Sequence, residues 1–243
     1  MTREKNVSQF NRDIETSSGY LYSAPSATLS SRLANRRLSE AVQHIIDMSG
    51  KRVIDIGCGD GAYTCEFLAA NPKYVLGIDA AEQAVAVASK RSAGIDRICF
   101  RTMDICDLSN LNEKFEIAVV RGLLHHLYDV QKAIDNLSGL ADVVIVIEPN
   151  GYNPLLKIIE KTSNYHIKHE ERSYAPHKLD LWFRKRGGHI KQSLYCGLVP
   201  FFCPDLAAKI LKMLEPVVER IPLVRQLLCA VYVFKVDFKG YAP

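Results

Sequence analysis

No Cys-x-x-Cys pair occurs among the seven cysteines, Cys58, Cys65, Cys99, Cys106, Cys196, Cys203 and Cys229. An odd count, spread through apolar runs of a chain too long to need stapling, reads as reduced and mostly buried thiols and implies a cytoplasmic protein. Metal-ligand spacing is missing too. The close histidine pairs, His125/His126 and His166/His169, lack cysteines or carboxylates at zinc or magnesium spacing, so no metal is expected. Charge of one sign is scarce: a net +4 over 243 residues does not argue for nucleic acid. Residues 1–20 are polar with scattered charges, so no signal peptide is expected, and the apolar run from Val143 to Ile147 is far too short to cross a bilayer. Repeats and low-complexity tracts are absent. What remains is an ordinary globular composition, 48% hydrophobic and 24% charged, enough for one domain with a substantial core or one with an appended cap.

The most informative stretch is Val53-Ile54-Asp55-Ile56-Gly57-Cys58-Gly59-Asp60-Gly61. A β-branched strand pattern runs into three alternating glycines, and a helical pattern follows at once. Such a turn lets backbone approach a ligand, which the free N–H groups of the first helical turn then face.

Around it, strands and helices alternate. Ser30 or Ser31 can cap a first helix ending at Gly50. Strands are expected at 52–56, 74–78, 98–103, 115–120 and 143–147, with helices at 62–70, 82–93 and 130–140 between them. Five such alternations with short connections mark a parallel sheet covered on both faces, whose ligands sit at the carboxyl ends of the strands. Asp55 to Gly61, Asp79, Asp104, Arg121 to His126, and Glu148 therefore gather on one rim. Further helices are expected at 155–162, around Leu179 to Phe183, and at 205–214. Two late strands, 190–198 and 230–238, would complete the sheet.

Gly57-x-Gly59-x-x-Ala62 matches a dinucleotide fingerprint, with Asp79 where a ribose-binding acid belongs. Asp55, however, sits within the strand, where a carboxylate is costly unless paired. An α-ammonium satisfies it; a pyrophosphate would be repelled. A short-chain dehydrogenase would also need Tyr-x-x-x-Lys on a helix, and Pro176 interrupts Tyr174 to Lys178.

Taken with Asp79 after the second strand and Asp104 after the third, the 53–61 motif resembles the class I S-adenosylmethionine-dependent methyltransferases, over roughly residues 50 to 150. The resemblance implies an α/β, doubly wound, seven-stranded and mostly parallel sheet of Rossmann-like methyltransferase type, its last strand antiparallel. It also implies S-adenosylmethionine as cofactor and S-adenosylhomocysteine as product. Gly57, Gly59 and Gly61 would line methionine and ribose, beside Cys58. Asp79, with Ala80 next to it, would take the ribose hydroxyls. Asp104 would take the adenine amino group, with Ile105 against the ring, and Arg121 would offer its carbonyl to the ammonium. Simpler roles stand beside these: Asp79 as a helix cap, Asp104 as a turn cap with Asp107 and Ser109, Cys58 as a small residue filling the turn. The family's Gly-Gly entry to strand five is replaced by Gly139-Leu140-Ala141-Asp142, which loosens the start of that strand by a residue or two.

Relatives that methylate nucleic-acid or protein amide nitrogens carry Asn/Asp-Pro-Pro-Tyr/Phe after strand four. Arg121-Gly122-Leu123-Leu124 stands there instead, and the Leu-His-His-Leu that follows resembles the small-molecule branch. His126, or less favourably His125, is the candidate general base, oriented by Glu148; the competing reading is that both histidines only shape the wall. The organisation expected is an N-terminal arm and helix covering the cofactor (1–50), with Tyr20 and Tyr22 as contacts to the methionine end or as plain packing. A cofactor-binding core (51–150) and a substrate-specifying segment (151–243) follow.

Residues 151–191 carry nine Lys and Arg against four Asp and Glu, which could greet an anionic acceptor or simply be solvated. The apolar helical insert between the last two strands, 199–228, is a lid, a dimer face or a peripheral membrane patch, in that order. The expected activity is methyl transfer to a hydroxyl of a small-molecule or lipid/glycan-precursor acceptor, by a monomer or homodimer. A cofactor-binding scaffold without chemistry and an RNA methyltransferase are the alternatives.

Overall fold

The computed structural model describes residues 28–163 and 172–238, together with Ser8 and Asn11. Helix α1 (Leu29–Ile45) buries Ala34, Leu38, Ala41, Val42 and Ile45, one stripe at helical spacing. Its cap is Thr28, whose hydroxyl accepts the Ser31 N–H at 3.2 Å. Ser30 and Ser31 lie inside the helix and are buried, and the Ser30 hydroxyl donates to the Phe201 carbonyl at 2.9 Å. The capping role expected of them thus falls to Thr28. The helix also stops at Ile45, short of Gly50.

The core alternates as expected: β1 (Arg52–Ile56), α2 (Ala62–Glu66), β2 (Tyr74–Asp79), α3 (Glu82–Arg91), β3 (Ile98–Thr102), β4 (Phe115–Arg121), α4 (Val130–Leu140) and β5 (Ala141–Pro149). Then follow α5 (Pro154–Thr162), α6 (Pro176–Arg184), β6 (His189–Cys196), α7 (Asp205–Val218), α8 (Pro222–Leu228) and β7 (Val231–Asp237). The strands form one seven-stranded sheet in the order β3-β2-β1-β4-β5-β7-β6. β7 runs antiparallel to both its neighbours, and the pairs from β3 to β5 are parallel.

Alternate residues face opposite cores. Val53, Val75 and Val119 pack with α1 and α3, whereas Ile54, Leu76 and Val120 pack with α4 and α6. Phe183 of α6 meets Phe234 of β7 edge-on, ring centres 5.6 Å apart. β5 begins directly after α4, two residues earlier than the sequence pattern suggests, because Ala141 still donates its N–H to Leu137 while entering the sheet. α7 likewise runs past Pro216 to Val218. The proline stands in the last turn, where only the Lys212 carbonyl loses a helical donor.

The insert between β6 and β7 is fastened to α1. Arg37 forks onto Glu219 (2.7 and 3.0 Å), Glu219 accepts the Gly197 N–H at 3.0 Å, and Glu215 accepts the Leu198 N–H at 3.0 Å.

Candidate active site

The carboxyl ends of β1, β2, β4 and β5 open into one cavity of about 670 Å³, a size that suits a nucleoside-sized ligand with room beside it. At its floor the loop after β1 bends across β2: the N–H groups of Gly57 and Cys58 both donate to the Ile78 carbonyl, at 2.8 and 3.0 Å. Gly57, Gly59 and Gly61 all have positive φ, which a side chain would strain. Gly57, Cys58 and Gly59 line the cavity. Gly61 does not: a Cβ there would meet Ala88 and the Phe100 ring at 2.8 Å. It serves close packing of α2 on α3 and β3 rather than a ligand contact, which corrects the expectation that all three glycines line the site.

Three carboxylates stand in the wall. Asp55 is buried and accepts the Thr64 hydroxyl at 2.6 Å. Burial raises its carboxyl to about 6, against the opposing pull of Thr64 and Arg121. Asp79 accepts the Gly59 N–H at 2.9 Å on one oxygen and the Ala81 N–H at 2.8 Å on the other. It joins the glycine loop to the start of α3, and burial raises its pKa as well. Asp104 accepts the Cys106 N–H at 2.8 Å and the Tyr128 hydroxyl at 3.2 Å, so it organises its turn, as the simpler reading had it, while lining the cavity with Ile105. Ala80 lines it too. Tyr20 and Tyr22 lie outside the described residues.

Arg121 contributes more than a carbonyl at a strand end. Its guanidinium lies 3.8 Å from the Tyr63 ring centre and donates to Ser39 and to both the carbonyl and the side chain of Asn35. Burial lowers its pKa, opposed by Tyr63, Glu66 and Asp55. It therefore ties α1 to the glycine-loop side of the cavity. Nothing in the linear spacing pointed to this role, since Asn35 and Ser39 lie more than eighty residues upstream.

β4 and β5 are neighbours, and the residues after β4 form one turn of 3₁₀-helix, Leu124–His126. Glu148, fully buried, accepts the N–H of Leu123 and Leu124 at 3.0 and 2.8 Å. Its other oxygen lies 2.8 Å from Nδ1 of His125. The partner of Glu148 is thus His125 and not His126. Successive side chains of a 3₁₀ turn point about 120° apart, so only one of two adjacent histidines can reach back to β5. His126 packs against His125 with ring centres 4.0 Å apart, and both line the cavity.

The opposite wall is apolar, with Leu155, Leu156, Ile159, Val199, Phe201 and Phe202 among its residues. Asn150 and Asn153 hold it in place. Asn150 donates to the carbonyls of Gln226 and Cys229, and Asn153 caps α5 while donating to Leu228.

Residues 53–143 match a family described as "Methyltransferase domain". The match takes in 91 of the chain's 243 residues. Its wider surroundings compare as follows. A ubiquinone biosynthesis O-methyltransferase of Coxiella burnetii is 30% identical over 128 residues, 52% of this chain and 50% of the relative. A tRNA U34 carboxymethyltransferase of Desulfotalea psychrophila is 26% identical over 95 residues, 38% of this chain and 30% of the relative. The chain thus spans half or less of the length of these relatives.

In fold, the chain is similar to the magnesium protoporphyrin IX methyltransferase of Synechocystis PCC 6803 with bound S-adenosylhomocysteine. The TM-score is 0.63 at 16% identity, covering 96% of this chain and 95% of the other. A chain in the complex containing the Haloferax volcanii Trm112 methyltransferase activator gives a TM-score of 0.67 at 14% identity, covering 96% and 98%. Both likenesses extend the domain's fold through β6 and β7.

Proposed function

We propose that this chain moves the methyl group of S-adenosylmethionine to a hydroxyl of a small, apolar acceptor and releases S-adenosylhomocysteine. The cofactor supplies an electrophilic methyl on a sulfonium, displaced in line by the acceptor oxygen. The residues present suit it. Asp55 is a buried carboxylate with one hydroxyl partner at hand, an arrangement that a cationic amino group completes. Gly57, Cys58 and Gly59 would let the amino-acid tail lie against backbone, and the Arg121 carbonyl would accept from its amino group. Asp79, with Ala80 beside it, receives the ribose hydroxyls, and Asp104 with Ile105 receives the adenine.

The observation that carries the reading is that the His125–Glu148 pair shares one cavity with Asp55 and Asp79. Glu148 fixes the proton on Nδ1 of His125, so Nε2 is the nitrogen that takes the acceptor's proton and holds it as imidazolium. His126 shapes the wall beside it. The apolar wall from Leu155 to Phe202 favours a small hydrophobic acceptor over RNA, whose phosphates would need cations there.

Calorimetry with S-adenosylmethionine and S-adenosylhomocysteine, followed by labelled-methyl transfer to a panel of hydroxylated apolar compounds, tests this. Binding of both nucleosides that is lost in Asp79→Ala, with label appearing on oxygen, is the expected result. Absence of binding overturns the proposal. Binding without transfer to any acceptor favours the scaffold reading.

A further inference from the structure

Fifteen large apolar side chains are exposed among the described residues, and twelve belong to α5, Phe202, α7, α8 and the turn joining the last two. Met213, Leu223 and Leu206 are the most exposed, at 74%, 73% and 72%. On α7 the exposed residues 206, 210, 213, 214 and 217 form one stripe, while Ala208 and Glu215 are buried on the other side, where α7 packs on α1. α8 packs beside both α5 and α7, so the exposed residues of the three helices join in one face. A surface of this kind marks an interaction site.

Charge selects what covers it. The exposed charges on these helices and their turn are Lys161, Lys209 and Arg220 against Asp205. Lys209 borders the apolar stripe, three residues from Leu206 and four from Met213. The two glutamates of α7 and its end are engaged elsewhere, Glu219 by Arg37 and Glu215 by Lys212 and the Leu198 N–H. Two copies face to face would oppose like charges, whereas an anionic surface attracts Lys161, Lys209 and Arg220 together. No helix among the described residues is long and apolar enough to cross a membrane, which leaves an in-plane contact. The face also continues into the cavity, since Leu155, Phe202 and Leu228 are both exposed and cavity-lining.

We propose that α7 and α8 seat this face on an anionic lipid bilayer, with their apolar stripe at the headgroup–acyl boundary and the cavity mouth against the lipid. An acceptor of lipid character then enters from the bilayer without crossing water. That last step rests on the methyl-transfer reading; the docking does not.

Flotation of the full chain with vesicles tests it, using phosphatidylcholine alone and phosphatidylcholine mixed with phosphatidylglycerol. The wild type should float with the mixed vesicles, less so at high salt. The double variant Met213→Glu/Leu223→Glu, away from the cavity wall, should lose about ten-fold or more of that binding, with S-adenosylhomocysteine binding unchanged as the check on folding. A wild type that floats with neither vesicle overturns the docking. So does a wild-type dimer that the double variant makes monomeric without any vesicle binding, since a second copy then owns the face. A protein that floats but binds no S-adenosylhomocysteine removes the methyl-transfer reading and leaves the docking standing.

Discussion

Glu148 spends one oxygen on backbone and the other on His125: Oε1 takes the N–H groups of Leu123 and Leu124, and Oε2 lies 2.8 Å from Nδ1 of His125. A fully buried carboxylate with three partners is fixed in place. It builds the 3₁₀ turn after β4 and aims the imidazole in one stroke. The aim of the His125 ring and the shape of the loop therefore depend on the same side chain.

For catalysis this separates the two histidines. His125→Ala should lower kcat about a hundred-fold or more, with S-adenosylhomocysteine affinity within about three-fold of wild type. His126→Ala should cost less than about ten-fold in kcat, since it loses packing rather than the proton acceptor. Steady-state kinetics with one acceptor decides; equal losses in both variants, or the larger loss in His126→Ala, would assign the base differently.

The structural half of the role of Glu148 shows in stability. Glu148→Gln keeps an acceptor for Leu123 and Leu124 and should unfold within about 1 kcal/mol of wild type. Glu148→Ala leaves one buried and one half-buried backbone donor unmet, and should cost about 2–4 kcal/mol. Urea denaturation monitored by circular dichroism measures both, and near-equal midpoints for the two variants would remove the turn-building role.

Two glycines with similar backbone but different surroundings make a matched pair. Gly61 has φ +72 and no room for a Cβ, with Ala88 and Phe100 at 2.8 Å; Gly94 has φ +85 and nothing within 4 Å. Gly94→Ala should therefore cost about 1 kcal/mol from backbone strain alone. Gly61→Ala adds overpacking and should cost about 3 kcal/mol. Equal urea midpoints would show that α2 can shift off α3 without loss.

The parallel core and the polar rim were legible from sequence because both rest on local pattern. Buried parallel strands read as continuous apolar runs, and each carries at or near its carboxyl end a residue unlike its interior, such as Asp55, Asp79 or Glu148. What escaped depends on conformation or distance. Which histidine meets Glu148 is settled by a single 3₁₀ turn that no periodicity announces. The hold of Arg121 on Asn35 and Ser39 spans most of the chain's first half. Gly61 carries the same motif spacing as Gly57, yet its constraint comes from Ala88 and Phe100, twenty-seven and thirty-nine residues on. The cap of α1 moved to Thr28 because Ser30 is claimed by the Phe201 carbonyl, a contact made only once the insert has folded back.

Asp55 links these features to pH. Its carboxyl, raised to about 6 by burial, binds more protons folded than unfolded between that value and its ordinary one near 4. Stability of the ligand-free protein should therefore fall as pH rises from about 4 to about 6, by up to about 3 kcal/mol from this group. Asp55→Asn should remove that contribution and leave the variant at least as stable as wild type at neutral pH. Ligand binding runs the other way. A cationic amino group requires ionised Asp55, so S-adenosylhomocysteine affinity should weaken as pH drops through about 6, and Asp55→Asn should bind about thirty-fold more weakly with little dependence on pH in that range. Scanning and titration calorimetry across about pH 4 to 8 on both proteins reads the two effects together. A wild-type affinity that stays flat while the variant binds equally well would place the cofactor's amino group away from Asp55.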